Sequence, residues 1–194
     1  MSSLGPPPVP NRLRTFPSYD LLETLALARI HSIGRNPWYF SSRMSGRFDL
    51  PGTLGTCYLA ETPTGAFVEV FQRWMAHRIP IPRSEIAARQ ASDLFVPRSF
   101  RLADCIHPRA LAFGATGLIH TTPDRSLTQA WAAAFHAAGF GGVRYLVSTA
   151  PSMHLVGFAL FGSSGEAAWP VAATGPIGDA LVDEIERVFG VLVR

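Results

Sequence analysis

The glycine-bounded segment Gly46-Arg47-Phe48-Asp49-Leu50-Pro51-Gly52, the apolar run Cys57-Tyr58-Leu59-Ala60 after it and the step Thr62-Pro63 confine this chain more tightly than anything else in it. Glycine and proline close the first segment into a turn. The second has the length and apolarity of a buried strand. Thr62 suits an N-cap, and Pro63 suits the first helical position, where the N–H that proline lacks has no intrahelical partner anyway. Ala66, Phe67, Val70, Phe71 and Trp74 then recur at helical spacing, with Glu69 to one side of their stripe. Turn, strand and helix thus bring an arginine, a tyrosine and a carboxylate close together along the chain. A guanidinium pairs bidentately with phosphate or carboxylate oxygens, and an aromatic ring stacks on another ring, so the set suits a phosphorylated, ring-bearing ligand.

Around this block the chain reads as one domain of mixed α/β (α+β) class. Residues 1–17 carry Pro6, Pro7, Pro8, Pro10 and Pro17 with little apolar periodicity, and are expected to form a flexible Pro-rich arm; the domain is expected to span 18–194. Ser18 or Asp20 can cap a short helix through Leu21, Leu22 and Leu25, with Glu23 placed to complete a capping box from Asp20. Arg29 follows, where a helix end and a first strand are both compatible with the pattern. Glycines and prolines punctuate residues 32–55, which predicts long loops around a ligand. Strands are expected near 93–96, 100–106, 143–147 and 155–161. A helix over 126–138 has Ser126 or Asp124 as its cap and Gly139 as its stop, and an amphipathic helix spans 179–189.

Composition removes several classes of function. A formal charge of +3 without a basic run demands no nucleic-acid partner. The two cysteines, Cys57 and Cys105, are too few for a disulfide scaffold, and no histidine pair has metal-ligand spacing, so no metal is expected. No stretch approaches the roughly 20 apolar residues that cross a bilayer, and the start lacks the regions of a signal peptide, so no membrane association and a cytoplasmic location are expected. Gly139-Phe140-Gly141-Gly142 lacks dinucleotide-fingerprint spacing, and no phosphate-loop lysine motif or Gly-x-Ser-x-Gly occurs.

Each chemically capable residue also has a plain structural reading. Arg47 fits a surface ion pair as well as a phosphate clamp, and Glu69 a solvated helix face as well as a catalytic carboxylate. Tyr58 fits a core position as well as an aromatic wall. Trp38 and Tyr39 fit loop anchors as well as parts of a site. Ser126 fits a helix cap, and Ser148 a turn.

Taken in order, Ala28-Arg29-Ile30-His31, Gly46-Arg47-Phe48-Asp49, Thr56 to Thr62 and Phe67-Val68-Glu69-Val70 resemble the RES domain family, as do the later blocks Asp124 to Ala130, Gly139 to Tyr145 and Phe158 to Phe161. The resemblance implies an ADP-ribosyltransferase-like fold, with small central sheets, flanking helices and long loops. It also implies a toxin that degrades NAD, with NAD as substrate, no separate cofactor and phosphate as the expected acceptor. Water as acceptor makes the enzyme an NAD glycohydrolase, and a protein side chain makes it a mono-ADP-ribosyltransferase. A non-catalytic NAD-binding or interaction domain is the reading of another class. By resemblance the catalytic set is Arg47, Glu69 and Ser126, and the substrate-binding set is Arg29, Tyr58, Tyr39 and Ser148. Ser126 and Ser148 compete for the place of the family's serine, and Arg29 and Arg47 are expected to divide one ligand between them. A helix-turn-helix antitoxin is the implied partner, and a homo-oligomer is compatible with the resemblance.

Overall fold

The computed structural model describes residues 3–147 and 155–194. Ser148, one of the two candidate serines, lies outside the described residues. Ten strands and six α-helices are formed among the described residues: β1 (Ser18–Leu21), β2 (Leu27–Ser32), β3 (Tyr39–Phe40), β4 (Leu54–Ala60), β5 (Arg89–Leu94), β6 (Phe100–Asp104), β7 (Gly142–Leu146), β8 (Val156–Ser163), β9 (Gly165–Glu166) and β10 (Val171–Pro176), with α1 (Pro10–Leu13), α2 (Pro63–Ala76), α3 (Arg83–Ala87), α4 (Leu118–Thr121), α5 (Arg125–Ala137) and α6 (Asp179–Phe189). Eight strands make one sheet in the order β1-β6-β7-β8-β4-β2-β5-β10, and β3 pairs with β9 in a small second sheet. Within the large sheet β6 and β7 run parallel, while the other neighbouring strands are antiparallel.

Each face of the sheet carries its own core. Strand residues alternate between faces, so Tyr58 and Ala60 of β4 lie on the face that receives α2 and α5, with Phe67, Phe71, Trp131 and Phe135. Cys57 and Leu59 lie on the other face, with Trp38, Phe40 and Phe158. The sequence expectations for α2, α5 and α6 agree with the observed helices. Thr62 caps α2 by accepting from the Gly65 N–H at 3.1 Å. Asp124, one of the two candidates, caps α5 through Leu127 N–H, and Gly139 after it takes φ +91°, a left-handed stop.

Two expectations are corrected. The segment 18–21 is a strand instead of a capped helix, because its backbone pairs with β6 from Ser18↔Ala103 to Leu21↔Phe100; the cross-strand hydrogen bonds outweigh a local capping preference. The Pro-rich start is packed against the domain instead of forming a flexible arm. Leu4, Leu13 and Phe16 belong to the core on the α5 face, and the indole N–H of Trp131 donates to the Gly5 carbonyl at 3.0 Å. Its sparse apolar residues are enough for docking because each lands in a site the rest of the fold provides. Among the described residues no helix is long and apolar enough to cross a membrane.

Candidate active site

The site is built where the Gly46–Asp49 turn meets β4. The Tyr58 hydroxyl accepts from the Phe48 N–H at 2.7 Å and donates to Oδ1 of Asp49 at 3.0 Å, while Oδ2 of Asp49 accepts from the Gly46 N–H at 2.9 Å. A side chain at position 46 has no room, since a Cβ there would stand 2.4 Å from both Asp49 Oδ1 and the Tyr58 hydroxyl. From α5, Gln129 donates to the carbonyls of Met44 and Gly46, both at 2.9 Å, and Thr56 of β4 donates to the Phe48 carbonyl at 2.8 Å. The turn is therefore tied to a strand on one side and a helix on the other.

Small residues on β8 let two aromatic side chains meet. Tyr145 of β7 pairs with Gly157, and Tyr58 of β4 pairs with Ala159. The Tyr145 ring lies directly over Gly157, where a Cβ would come within 2.5 Å of it. It contacts Tyr58 edge-on at 6.5 Å between ring centres and Phe48 at 5.1 Å.

These residues enclose a cavity of about 250 Å³ lined by Arg47, Asp49, Tyr58, Glu69, Arg125 and Tyr145, among others. A second, smaller and more apolar cavity of about 160 Å³ shares Tyr58 and Glu69 with it and continues to Ala28, Ile30, Leu59 and Val70. Tyr58 and Glu69 thus form the partition between the two.

Burial raises the pKa of Glu69, opposed by the Tyr145 hydroxyl and by the charges of Arg47 and Arg125. Arg47 is buried and donates from Nη1 to the Thr122 carbonyl at 2.7 Å. Its pKa is lowered first by burial and next by the like charge of Arg125. Burial pushes the Tyr58 and Tyr145 hydroxyls well up, helped by Asp49 and Glu69 respectively, so both stay protonated at neutral pH. The Tyr145 hydroxyl interacts with Glu69 electrostatically, yet it makes no hydrogen bond of good geometry among the described residues. Beneath Arg47, His120 is buried and its pKa is lowered to about 4, chiefly by burial.

Arg47, Tyr58 and Glu69 come together as expected from their order in the sequence, and Asp49, Arg125 and Tyr145 join them from positions to which the sequence assigned no role. The one local sign of Arg125 is its place beside the cap of a helix. Arg29 does not line the larger cavity with Arg47. Ala28 pairs with Ala60, which puts Arg29 on the sheet face opposite Tyr58. It borders the smaller cavity, but its guanidinium is tied to the carbonyls of Pro37 and Tyr39 and to the sulfur of Cys57. Tyr39 pairs with Glu166 in the small sheet and lies beneath the guanidinium of Arg35; it does not line either cavity. Trp38 is a buried anchor whose indole donates to the Pro170 carbonyl at 2.8 Å. Ser126 is exposed, and its hydroxyl donates to Asp124 at 2.6 Å within the cap. Among the described residues no group of three or more His, Cys, Asp or Glu side chains is placed to hold a metal ion.

The RES domain model matches residues 26–190, which takes in every strand and helix that builds the site. The chain belongs to the RES domain family. The RES fold is also similar to a solved structure, the crystal structure of the M. tuberculosis MbcT–MbcA toxin–antitoxin complex. The similarity has a TM-score of 0.70 at 18% sequence identity and covers 92% of this chain and 96% of that one. At that identity the likeness establishes the mixed α/β fold. No curated protein sequence matches the chain significantly.

Proposed function

We propose that this RES domain is a toxin enzyme that cleaves the nicotinamide–ribosyl bond of NAD and transfers the ADP-ribosyl group to phosphate. The observation that carries the reading is the Glu69 carboxylate, fixed between two cavities with Tyr58 beside it and the charges of Arg47 and Arg125 acting on it. As the bond from the anomeric carbon to the pyridinium nitrogen lengthens, its electron pair goes to nicotinamide and positive charge grows on the ribose. A rigid carboxylate stabilises that cation and accepts a hydrogen bond from a ribose hydroxyl. A phosphate oxygen then bonds to the anomeric carbon, giving ADP-ribose phosphate and neutral nicotinamide. Tyr58 offers a ring to the leaving group, and Arg47 offers a planar fork to phosphoryl oxygens.

The reading implies a cytoplasmic protein held in check by an antitoxin of helix-turn-helix type that covers the cavity mouth. The toxin–antitoxin neighbour makes such a partner a natural extension of the reading. The test is incubation of purified protein with NAD, with and without phosphate, followed by mass analysis of the products. Phosphate-dependent NAD loss with ADP-ribose phosphate as product is expected. ADP-ribose formed equally fast without phosphate identifies a glycohydrolase. Folded protein that leaves NAD intact under both conditions overturns the enzymatic reading in favour of a binding domain.

A further inference from the structure

We infer that Arg125 pairs with Arg47 to form a two-guanidinium subsite for a phosphoryl group, with the buried Tyr145 hydroxyl as a third donor. All three side chains line the larger cavity, which they reach from α5, the 46–49 turn and β7. Among the described residues the Arg125 guanidinium makes no hydrogen bond and no contact ion pair; its interactions are through-space ones with Glu69 and Arg47. A partly enclosed guanidinium with its fork of five N–H donors unused is an anion receptor, and its planar geometry matches phosphoryl oxygens. Among the described residues Arg47 gives one bond, to the Thr122 carbonyl, and its other donors face the cavity.

Two like charges facing one cavity repel, and the downward pull of Arg125 on the Arg47 pKa, second only to burial, expresses that repulsion. A dianion between them removes it. Two carboxylates share the cavity. Asp49 is engaged by the Gly46 N–H and the Tyr58 hydroxyl, and Glu69 lies at the partition with the smaller cavity, where the Tyr145 hydroxyl acts on it, so the two guanidiniums face carboxylates that already have hydroxyl or N–H partners. The Tyr145 hydroxyl adds a donor. It is buried, keeps its proton and makes no hydrogen bond of good geometry among the described residues, with Glu69 as its nearest acceptor, so a bound oxyanion competes with Glu69 for that proton.

The phosphoryl group comes either from free inorganic phosphate or from the pyrophosphate of the dinucleotide. Its role as acceptor rests on the NAD-cleavage reading, whereas its binding does not. Inorganic phosphate is therefore titrated calorimetrically, without NAD, into the wild type, Arg125→Gln and Arg125→Lys, with thermal unfolding to verify that all three are folded. Saturable binding by the wild type, weakened about tenfold or more in Arg125→Gln, is expected. Lysine keeps the charge but not the fork, so Arg125→Lys is expected to fall between them. A matching rise in KM for phosphate with KM for NAD unchanged identifies free phosphate as the occupant. A rise in KM for NAD alone identifies the dinucleotide's own phosphate and equally supports the subsite. Phosphate binding that depends on Arg125 in a protein that never cleaves NAD keeps the subsite and removes the enzymatic reading. Wild-type protein that binds no phosphate, with KM for NAD unchanged in Arg125→Gln, overturns the subsite.

Discussion

Glu69 combines two demands that pull against each other at a single residue. Burial favours its neutral acid, while Arg47, Arg125 and the Tyr145 hydroxyl favour the carboxylate, and burial is the larger effect. Its folded pKa therefore lies above the unfolded one, so the folded state holds the proton to higher pH. The carboxylate form then destabilises the fold at pH values above that folded pKa, and the penalty fades as pH falls through it. Glu69→Gln is expected to raise the unfolding temperature at pH 7, with the gain shrinking toward pH 4, and to lower kcat for NAD cleavage by about a hundredfold or more. Calorimetric scans at the two pH values and a nicotinamide-release assay check both halves. A stable variant with wild-type kcat would remove Glu69 from the chemistry.

Among the elements, β8 decides whether the aromatic wall can form. Gly157 leaves room for the Tyr145 ring that lies over it, and Ala159 is the small register partner of Tyr58 on the other side of this strand. Gly157→Ala puts a methyl group 2.5 Å from the Tyr145 ring, and overpacking of this kind costs about 1 to 3 kcal/mol. At Gly175 of β10 nothing lies within 4 Å of an added Cβ, so Gly175→Ala is expected to change stability by less than about 1 kcal/mol, in the stabilising direction. Denaturant melts of the two variants test the contrast. Near-UV circular dichroism, which reports the tyrosine environment, is expected to change only in Gly157→Ala.

At the scale of the whole molecule, the proline-rich start and the buried histidine tie distant regions to the site. Phe16 packs against Phe113, Phe135 and Phe140 at centroid distances of 5.1, 4.8 and 6.3 Å. Phe16→Ala is therefore expected to cost about 3 to 5 kcal/mol, whereas a residue in a solvated arm would cost under about 0.5 kcal/mol; urea unfolding distinguishes the two. His120, which accepts from the Leu146 N–H at 3.4 Å, is held neutral, its pKa lowered from 6.5 to about 4. Unfolded chains thus bind the proton first as pH drops. The stability associated with His120 is complete above pH 6.5 and lost between 6.5 and 4, by about 3 kcal/mol at most. Comparing unfolding free energies at pH 7 and 4.5 in wild type and His120→Gln isolates this loss, which is expected to be smaller in the variant.

What the sequence determined by itself is what neighbouring residues settle among themselves. Thr62 with Pro63 starts α2, Asp124 and Gly139 bound α5, and the apolar stripe of α6 marks its span, because caps, stops and periodicity act within a few residues. The order Arg47, Tyr58, Glu69 was legible for the same reason: turn, strand and helix follow one another directly. Tertiary structure alone decided the rest. Strand β1 exists because β6 pairs with it, against a local helical signal. The single register pair Ala28↔Ala60 puts Arg29 and Tyr58 on opposite faces of the sheet, so that Tyr58 lines the larger cavity and Arg29 only borders the smaller one, and a shift of one residue reverses which face a side chain takes. Arg125 and Tyr145 become part of the site only when α5 and β7 pack beside α2 and β4, since burial, like-charge repulsion and the contact of the Tyr145 hydroxyl with Glu69 come into being only when distant parts of the chain meet.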